Sequence, residues 1–101
     1  MFKNKKNILV SVAWPYANGG IHIGHMAGCY LPADIFARFH RMLGNNVLMV
    51  SGSDAHGTPV VIKSIQENKT PEELFDFYHK DILKTWDNLG INFDLFTSTH
   101  T

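Results

Sequence analysis

Residues 8–25 read Ile8-Leu9-Val10-Ser11-Val12-Ala13-Trp14-Pro15-Tyr16-Ala17-Asn18-Gly19-Gly20-Ile21-His22-Ile23-Gly24-His25, and this stretch sets the architecture of the chain. Residues 8–13 are mostly apolar and β-branched, which predicts a buried strand. A loop with proline and glycine follows, and it leads into a segment whose apolar residues have helical spacing. A strand–loop–helix junction presents unpaired backbone N–H groups at the helix N-terminus, which favours binding of an anion such as phosphate.

The segment after this loop predicts one long helix over residues 23–43. Pro32 lies inside it and removes a backbone donor, so we predict a kink near Gly28–Pro32. Gly44 follows the last helical residue, where glycine commonly ends a helix. The apolar residues that recur near helical spacing are Ile23, Ala27, Leu31, Ile35, Phe39 and Met42.

A second buried strand is predicted over residues 46–51. Thr58 and Pro59 then form a favourable pair of N-cap and first helical residue, which predicts a short helix through about Glu67.

A further helix starts at Thr70-Pro71-Glu72-Glu73, which has the form of a capping box, and Gly90 ends it. Residues 92–97 predict a third strand. The apolar stripe of this helix contains Leu74, Tyr78, Ile82 and Trp86, and it is widened by Phe75 and Leu83.

Strands that alternate with helices predict an α/β fold with a parallel sheet and right-handed crossovers, arranged as a three-layer α/β/α sandwich. In such sheets ligands bind beyond the carboxyl ends of the strands. The loops over residues 14–25 and 51–58 both lie at those ends. We therefore expect them to converge on one cleft.

Composition and charge limit the possible functions and locations of the chain. The 101 residues carry nine Lys and Arg against nine Asp and Glu, so the zero net charge gives no electrostatic signature of nucleic-acid binding in this stretch. The single cysteine, Cys29, excludes an internal disulfide, fits a reducing compartment and is interpreted as a small helix residue facing the core. Neither a signal peptide nor a membrane span is predicted, which favours the cytoplasm. The predicted strand near the end suggests a fragment of a longer protein.

The first loop holds the residues that favour phosphate chemistry. His22 and His25 are three apart in a first helical turn, so both imidazoles point the same way and can donate to phosphate oxygens. Gly24 between them lets a ligand approach the backbone, while Gly19 and Gly20 are expected to supply positive φ in a tight turn. Asn18 can cap the helix or reach the ligand. A metal site on the two histidines stays open as an alternative, with His56 or Asp54 as the third ligand.

The second loop places Asp54 after a buried strand, at the mouth of the predicted cleft. Its carboxylate can accept a ligand ammonium group as a charge-assisted hydrogen bond. The alternative is that Asp54 caps a local turn and that His56-Gly57-Thr58-Pro59 is simply a helix start.

These two loops resemble those of a known family. His22-Ile23-Gly24-His25 matches the His-Ile-Gly-His signature of class I aminoacyl-tRNA synthetases, and Ala13-Trp14-Pro15-Tyr16-Ala17-Asn18-Gly19-Gly20 looks like the methionyl members in particular. Gly52-Ser53-Asp54-Ala55-His56-Gly57 is similar to the Gly-Thr-Asp-Glu-His-Gly block of many members, with Ser53 in place of Thr and Ala55 in place of Glu. The resemblance runs from about Ile8 to the end of the chain and implies the Rossmann-like, HUP-type catalytic fold.

The resemblance also implies an activity and a set of site residues. Methionine would be activated by ATP with Mg²⁺ to methionyl-adenylate and then transferred to tRNA(Met), with His22 and His25 as catalytic residues. The implied ATP site contains Tyr16, Asn18, Gly19, His22, Gly24 and His25. The implied methionine site contains Ala13, Trp14, Tyr16, Asp54 and His56.

Residues 1–101 would form the N-terminal half of that catalytic domain and end near the start of its connective insertion. The resemblance places three family parts outside this chain: the zinc-bearing insertion, the Lys-Met-Ser-Lys-Ser loop and the anticodon-binding domain. Two alternatives remain, namely a catalytically incomplete module that binds ATP or an amino acid, and another nucleotidyl transferase with a His-x-Gly-His turn. An exposed sheet edge would also favour self-association of the isolated chain.

Overall fold

The computed structural model of the chain describes residues 4–100. Residues 1–3 and 101 lie outside this part, and with them Lys3 and the junction predicted near Thr101. In chain order the elements are β1 (Asn7–Ser11), α1 (Ile23–His25), a π-helical turn (Met26–Tyr30), α2 (Leu31–Met42), β2 (Asn46–Ser53), α3 (Thr58–Gln66), α4 (Pro71–Leu89) and β3 (Leu95–Ser98).

The strands form one parallel sheet in the order β1-β2-β3, which confirms the predicted α/β class. Right-handed crossovers between strands added in one direction put their helices on the same face of the sheet. In agreement, the Tyr30 ring before α2 contacts the Trp86 ring of α4, with 4.5 Å between centroids. The opposite face carries Leu9, Leu48 and Leu95, which are 67%, 57% and 56% exposed. Residues 4–100 thus supply two layers, and the third layer stays a prediction.

The strand boundaries differ from the predicted ones for local reasons. β1 ends at Ser11 rather than Ala13, although the Val12 N–H still donates to the Val50 carbonyl at 2.9 Å. β3 begins at Leu95 rather than Asn92 because the Asp94 carboxylate, at 2.7 Å, accepts the Met49 N–H in place of a backbone carbonyl. β2 runs two residues beyond its predicted end, to Ser53.

The predicted helix over residues 23–43 is divided by the π-helical turn. A proline at position 32 would clash with the carbonyl of residue 28 in a regular α-helix, and the wider π turn lies at this point. The Leu31 N–H accordingly donates to the Met26 carbonyl, five residues back.

The apolar stripe whose spacing predicts this helix is not the face that packs on the sheet. Its members Ile23, Ile35 and Met42 are 81%, 64% and 82% exposed. The face that meets the sheet contains Tyr30 and Ala37 instead. Cys29 is half-buried against the same core, as predicted.

The caps of α3 and α4 lie at or next to their predicted positions. Gly57, with φ +122°, is the N-cap of α3 in place of the predicted Thr58, which is the first helical residue. Thr70 caps α4 as predicted, since its hydroxyl accepts the Glu73 N–H at 3.1 Å, and Gly90 ends α4 with φ +70°. The buried residues of α4 are Leu74, Phe75, Ile82 and Trp86, whereas Leu83 is 39% exposed.

Candidate functional site

The two predicted loops meet at the carboxyl ends of β1 and β2. The Asp54 N–H donates to the Pro15 carbonyl at 2.8 Å, and the Ala17 N–H donates to the Asp54 carbonyl at 3.0 Å. These bonds form a single parallel bridge between Tyr16 and Asp54. The Tyr16 ring also lies over Gly57, where an added Cβ would be 3.2 Å from Cε1 of the ring. The two loops are therefore hydrogen-bonded to each other as predicted, whereas one cleft shared by both loops stays a prediction.

His22 and His25 cap each other's backbone. Nδ1 of His22 accepts the N–H groups of Gly24 at 3.1 Å and His25 at 3.3 Å, while Nδ1 of His25 accepts the His22 N–H at 3.2 Å. The rings stack with 3.6 Å between centroids and 20° between planes. The two imidazoles thus lie together, as predicted, but His22 is the extended N-cap of the helix (φ −104°, ψ 172°) rather than a residue inside it.

This reciprocal cap fixes the tautomers of the two rings. A neutral imidazole has one donor and one acceptor nitrogen, and each Nδ1 here is an acceptor. The proton of each ring is therefore on Nε2, which can donate to a ligand. Burial lowers the pKa of His25, and the neighbouring His22 imidazole lowers it further, so the uncharged form is favoured.

The glycines of the first loop act differently from their predicted roles. Gly19 and Gly20 do not have positive φ; in the described part of the chain the glycines that do are Gly44, Gly57 and Gly90. Gly24 makes room for its neighbour, because an added Cβ would lie 3.0 Å from Cε1 of His22. The stacked histidine pair thus favours glycine at position 24, and the role of Gly24 in ligand approach stays a prediction.

A cavity of about 290 Å³ opens beside the histidine pair. This volume is near the lower end of the range for small-molecule sites, roughly 300–1,000 Å³. Asn18 also borders a second cavity, of about 360 Å³, at the first turns of α3. The residues that line the cavity beside the histidines are Pro15, Tyr16, Asn18, Gly19, Gly20, Ile21, His22 and His25.

Asp54 forms the local turn that was the alternative to its predicted role in ligand binding, and that role stays a prediction. Its Oδ1 accepts the His56 N–H at 3.0 Å, which is an Asx-type turn, and the Thr99 hydroxyl at 3.2 Å. Both of these donors reach Oδ1, so Oδ2 is left for a further donor. Asp54 does not line the cavity of the histidine pair; Tyr16, which does, is paired with it through the backbone.

The His56 side chain lies apart from the histidine pair. It is exposed and borders a separate cavity of about 310 Å³, where its ring centroid is 5.9 Å from that of His100. The alternative of a metal site on His22 and His25 lacks a third ligand within residues 4–100, where no three His, Cys, Asp or Glu side chains gather suitably.

Trp14 occupies a space that only glycine opposite it allows. A Cβ added to Gly52 would lie 2.7 Å from Cζ3 and 2.8 Å from Cη2 of the Trp14 ring. Just before Trp14, the carbonyl of Ala13 accepts the hydroxyls of Tyr30 and Ser51.

Sequence reasoning did not identify the polar residues that support these loops. Ser51 and Ser53 are buried at alternate positions of β2, and serine in a buried strand is a signal that could have been noticed, because a buried hydroxyl requires a partner. Ser53 forms its hydrogen bond with Nδ1 of His79 in α4. Burial lowers the pKa of His79, while Asp76 opposes this shift. Neither partner, Tyr30 nor His79, has a sequence signal of its own.

Comparison with known proteins shows which sequences this chain is similar to. A family model described as tRNA synthetases class I (M) matches residues 8–101. The methionine--tRNA ligase of Thermomicrobium roseum is 62% identical over 96 residues, which are 95% of this chain and 16% of that protein. The methionine--tRNA ligase of Roseiflexus sp. is 62% identical over 95 residues, which are 94% of this chain and 16% of that protein.

A solved structure shows a similar fold. It is Mycobacterium tuberculosis methionyl-tRNA synthetase in complex with methionyl-adenylate, with a TM-score of 0.85 and 28% identity over 90% of this chain and 18% of that chain. This chain spans about 16% of the length of the curated relatives it matches.

Proposed function

This chain belongs to the class I tRNA synthetases of the methionyl type, and we propose that residues 1–101 supply the ATP- and methionine-binding front half of a methionine--tRNA ligase. In the proposed reaction a carboxylate oxygen of methionine attacks the α-phosphorus of ATP. The bond to the bridging oxygen breaks, pyrophosphate leaves, and methionyl-adenylate remains for transfer to tRNA(Met).

The observation that carries this proposal is the pair of Nε2–H donors next to the 290 Å³ cavity. Attack on the α-phosphate increases the negative charge on its oxygens in the transition state, and catalysis requires donors already held in place. His22 and His25 would donate to these oxygens without reorganisation, because their Nδ1 atoms are held by the backbone. Each such donor is worth about 2.7–4 kcal/mol of barrier.

The methionine ammonium group would bind to the Asp54 carboxylate. Oδ1 is oriented by the His56 N–H and the Thr99 hydroxyl, so Oδ2 can accept the ammonium as a charge-assisted bond. His56 would contribute here through its backbone rather than its exposed ring. Tyr16 links this group to the histidine cavity, and Ala13 and Trp14 would form the wall for the methionine side chain.

The adenosine and phosphates would lie along the first loop. Asn18, Gly19 and Tyr16 line the same cavity as the histidines, and Gly24 would keep the backbone open beside them. Mg²⁺ would enter with the triphosphate as its counter-ion, and zinc would belong to a segment outside this chain. Contacts with tRNA(Met) would also lie elsewhere, because residues 1–101 have no net charge.

We place the protein in the cytoplasm, where tRNA is charged. None of the helices described in residues 4–100 has the length and hydropathy needed to cross a bilayer.

A second candidate is a module that binds ATP or methionine without completing the reaction. It is the function that residues 1–101 would have when studied on their own, since they span 16% of the length of the relatives. Calorimetric titration of the 101-residue chain with ATP and with methionine tests this candidate; binding of either ligand without pyrophosphate exchange would support it for the isolated chain.

The proposed function is tested by methionine-dependent exchange of pyrophosphate into ATP, measured on the complete synthetase that contains this chain. We expect exchange with methionine and none with leucine, isoleucine or valine. Asp54→Asn should raise KM for methionine with little change in KM for ATP, whereas the matched surface variant Asp76→Asn should behave as the wild type. Exchange that does not depend on methionine would refute the assignment and favour another nucleotidyl transferase.

A further inference from the structure

Two buried hydroxyl groups converge on the carbonyl oxygen of Ala13. The Tyr30 hydroxyl donates to it at 2.8 Å and the Ser51 hydroxyl at 3.2 Å. Tyr30 is 3% and Ser51 1% exposed, and they come from different elements, the π turn and β2. A carbonyl with two buried donors from separate elements is held in one orientation, because rotation would leave both hydroxyls unpaired.

Holding this carbonyl also holds the residue that follows it. The carbonyl of Ala13 and the N–H of Trp14 belong to one planar peptide unit, so fixing the first fixes the second. The next residue is Pro15, whose ring restricts the backbone of Trp14. The Trp14 indole lies so close to Gly52 that a Cβ added there would be 2.7 Å from Cζ3 of the ring.

The π turn brings the Tyr30 hydroxyl within hydrogen-bonding distance of the Ala13 carbonyl. It begins directly after His25 and ends at Tyr30, so one continuous segment carries both the histidine cap and the hydroxyl that holds Ala13. π turns of this kind are frequent at functional sites.

We propose that Tyr30 and Ser51 are positioning residues which hold Trp14 in place as the wall of the methionine side-chain pocket. This inference rests on the proposed function, in which Trp14 lines that pocket. The two hydroxyls do not touch the substrate; they determine where the indole stands, and so set the affinity for methionine and the discrimination against longer side chains.

Single substitutions separate the hydroxyl groups from the packing around them. Tyr30→Phe keeps the ring that packs on Trp86 at 4.5 Å between centroids and removes only the hydroxyl. Ser51→Ala removes the second donor and leaves a small side chain in β2. Two matched controls are Tyr78→Phe, which removes a hydroxyl bound to Glu67, and Ser64→Ala, which removes a buried hydroxyl bound to the Val61 carbonyl.

The test uses pyrophosphate exchange by the complete synthetase, with methionine and with ethionine, which is one methylene longer. We expect each variant at Tyr30 and Ser51 to raise KM for methionine about threefold to tenfold, the effect of losing one buried hydrogen bond. KM for ATP should not change. The ratio of kcat/KM for methionine to that for ethionine should fall, because a displaced indole admits a longer chain. Both control variants should keep the wild-type values.

A purely structural role predicts a different result. It would lower the melting temperature while leaving the methionine-to-ethionine ratio at the wild-type value for both variants, and that outcome overturns the inference. Fluorine NMR of 5-fluorotryptophan-labelled protein checks the position of Trp14 without activity, and Ser51→Ala should shift its resonance while Ser64→Ala should not. An unshifted Trp14 resonance would also overturn the inference, whereas absence of exchange in the wild type would refute the proposed function instead.

Discussion

Substitution of His22 can separate the helix cap from the proposed catalysis, because the ring caps the helix with Nδ1 and would act in catalysis with Nε2. Nδ1 of His22 accepts two backbone N–H groups, from Gly24 and His25, whereas Nε2 is the proposed donor to phosphate. His22→Asn keeps a side-chain oxygen suited to an N-cap and loses the donor at Nε2. His22→Ala loses both.

The two variants should therefore differ in stability and agree in rate. Loss of an N-cap costs about 0.5–2 kcal/mol of unfolding free energy, so His22→Ala should be destabilised by about 1 kcal/mol and His22→Asn by much less. Loss of one transition-state donor costs about 10²–10³-fold in kcat. Both variants should show that loss, since neither has an imidazole Nε2–H at position 22.

Two assays measure these quantities. Urea unfolding of the 101-residue chain, followed by circular dichroism, gives the change in stability. Methionine-dependent pyrophosphate exchange by the complete synthetase gives the change in rate. If His22→Asn retained the full rate, Nε2 of His22 would have no catalytic role; if His22→Ala were as stable as the wild type, the reciprocal cap would not support the helix.

Three further outcomes are expected. Gly24→Ala should slow exchange, because its Cβ would lie 3.0 Å from the His22 ring, whereas Gly28→Ala, which meets no atom within 4 Å, should keep the wild-type rate; equal rates would contradict this. Burial lowers the folded-state pKa of His25 and His79, so the unfolded chain binds protons more readily, and the urea midpoint should fall as pH falls below the unfolded histidine value of about 6.5. His25→Gln and His79→Gln should each flatten this profile, and an unchanged profile in both would contradict the assignment. Leu48→Lys should reduce self-association of the isolated chain in sedimentation, because Leu48 is 57% exposed on the open sheet face, while Leu89→Lys on α4 serves as the control and should not.

The architecture could be predicted from the sequence because its signals are local. The alternation of strands and helices, the N-cap at Thr70 and the glycines after α2 and α4 depend on a few adjacent residues, and the structure confirms each of them. The convergence of the two loops needed only one general rule, that the carboxyl ends of parallel strands meet at the same edge.

The exposed face of α2 could not be predicted from periodicity. A stripe at helical spacing assumes 3.6 residues per turn throughout, but the π turn over Met26–Tyr30 adds a residue to one turn. Ile23 itself is 81% exposed although it precedes the π turn, so the spacing identified the helix but not the side of it that packs on the sheet. Pro32 indicated an irregularity in this part of the helix, but it did not indicate a π turn.

The supporting hydrogen bonds of the site were beyond sequence reasoning for a different reason. Tyr30 is 17 residues from Ala13, and Ser51 is 38 residues from it. Such pairs come together only through the register of β1 against β2 and the rotation of the helix about its axis. No rule based on sequence spacing predicts either of these. Ser53 and His79, 26 residues apart, are a further example.

The histidine pair, in contrast, follows the capping-box pattern, although histidine is not a usual residue in it. In a capping box the N-cap side chain accepts the backbone N–H three residues on, and the side chain at that position accepts the N–H of the N-cap; Ser or Thr with Glu or Gln usually fills these positions. His22 and His25 make the same two bonds with Nδ1 atoms. A histidine that caps in this way cannot be protonated on Nδ1 without losing the cap, so the start of the helix and the neutral, donor-ready state of the ring depend on the same hydrogen bonds. At a strand–loop–helix junction, a His-x-x-His pair is therefore better interpreted first as a cap that leaves Nε2–H of each ring available as a donor, and as a metal site only where a third ligand is present.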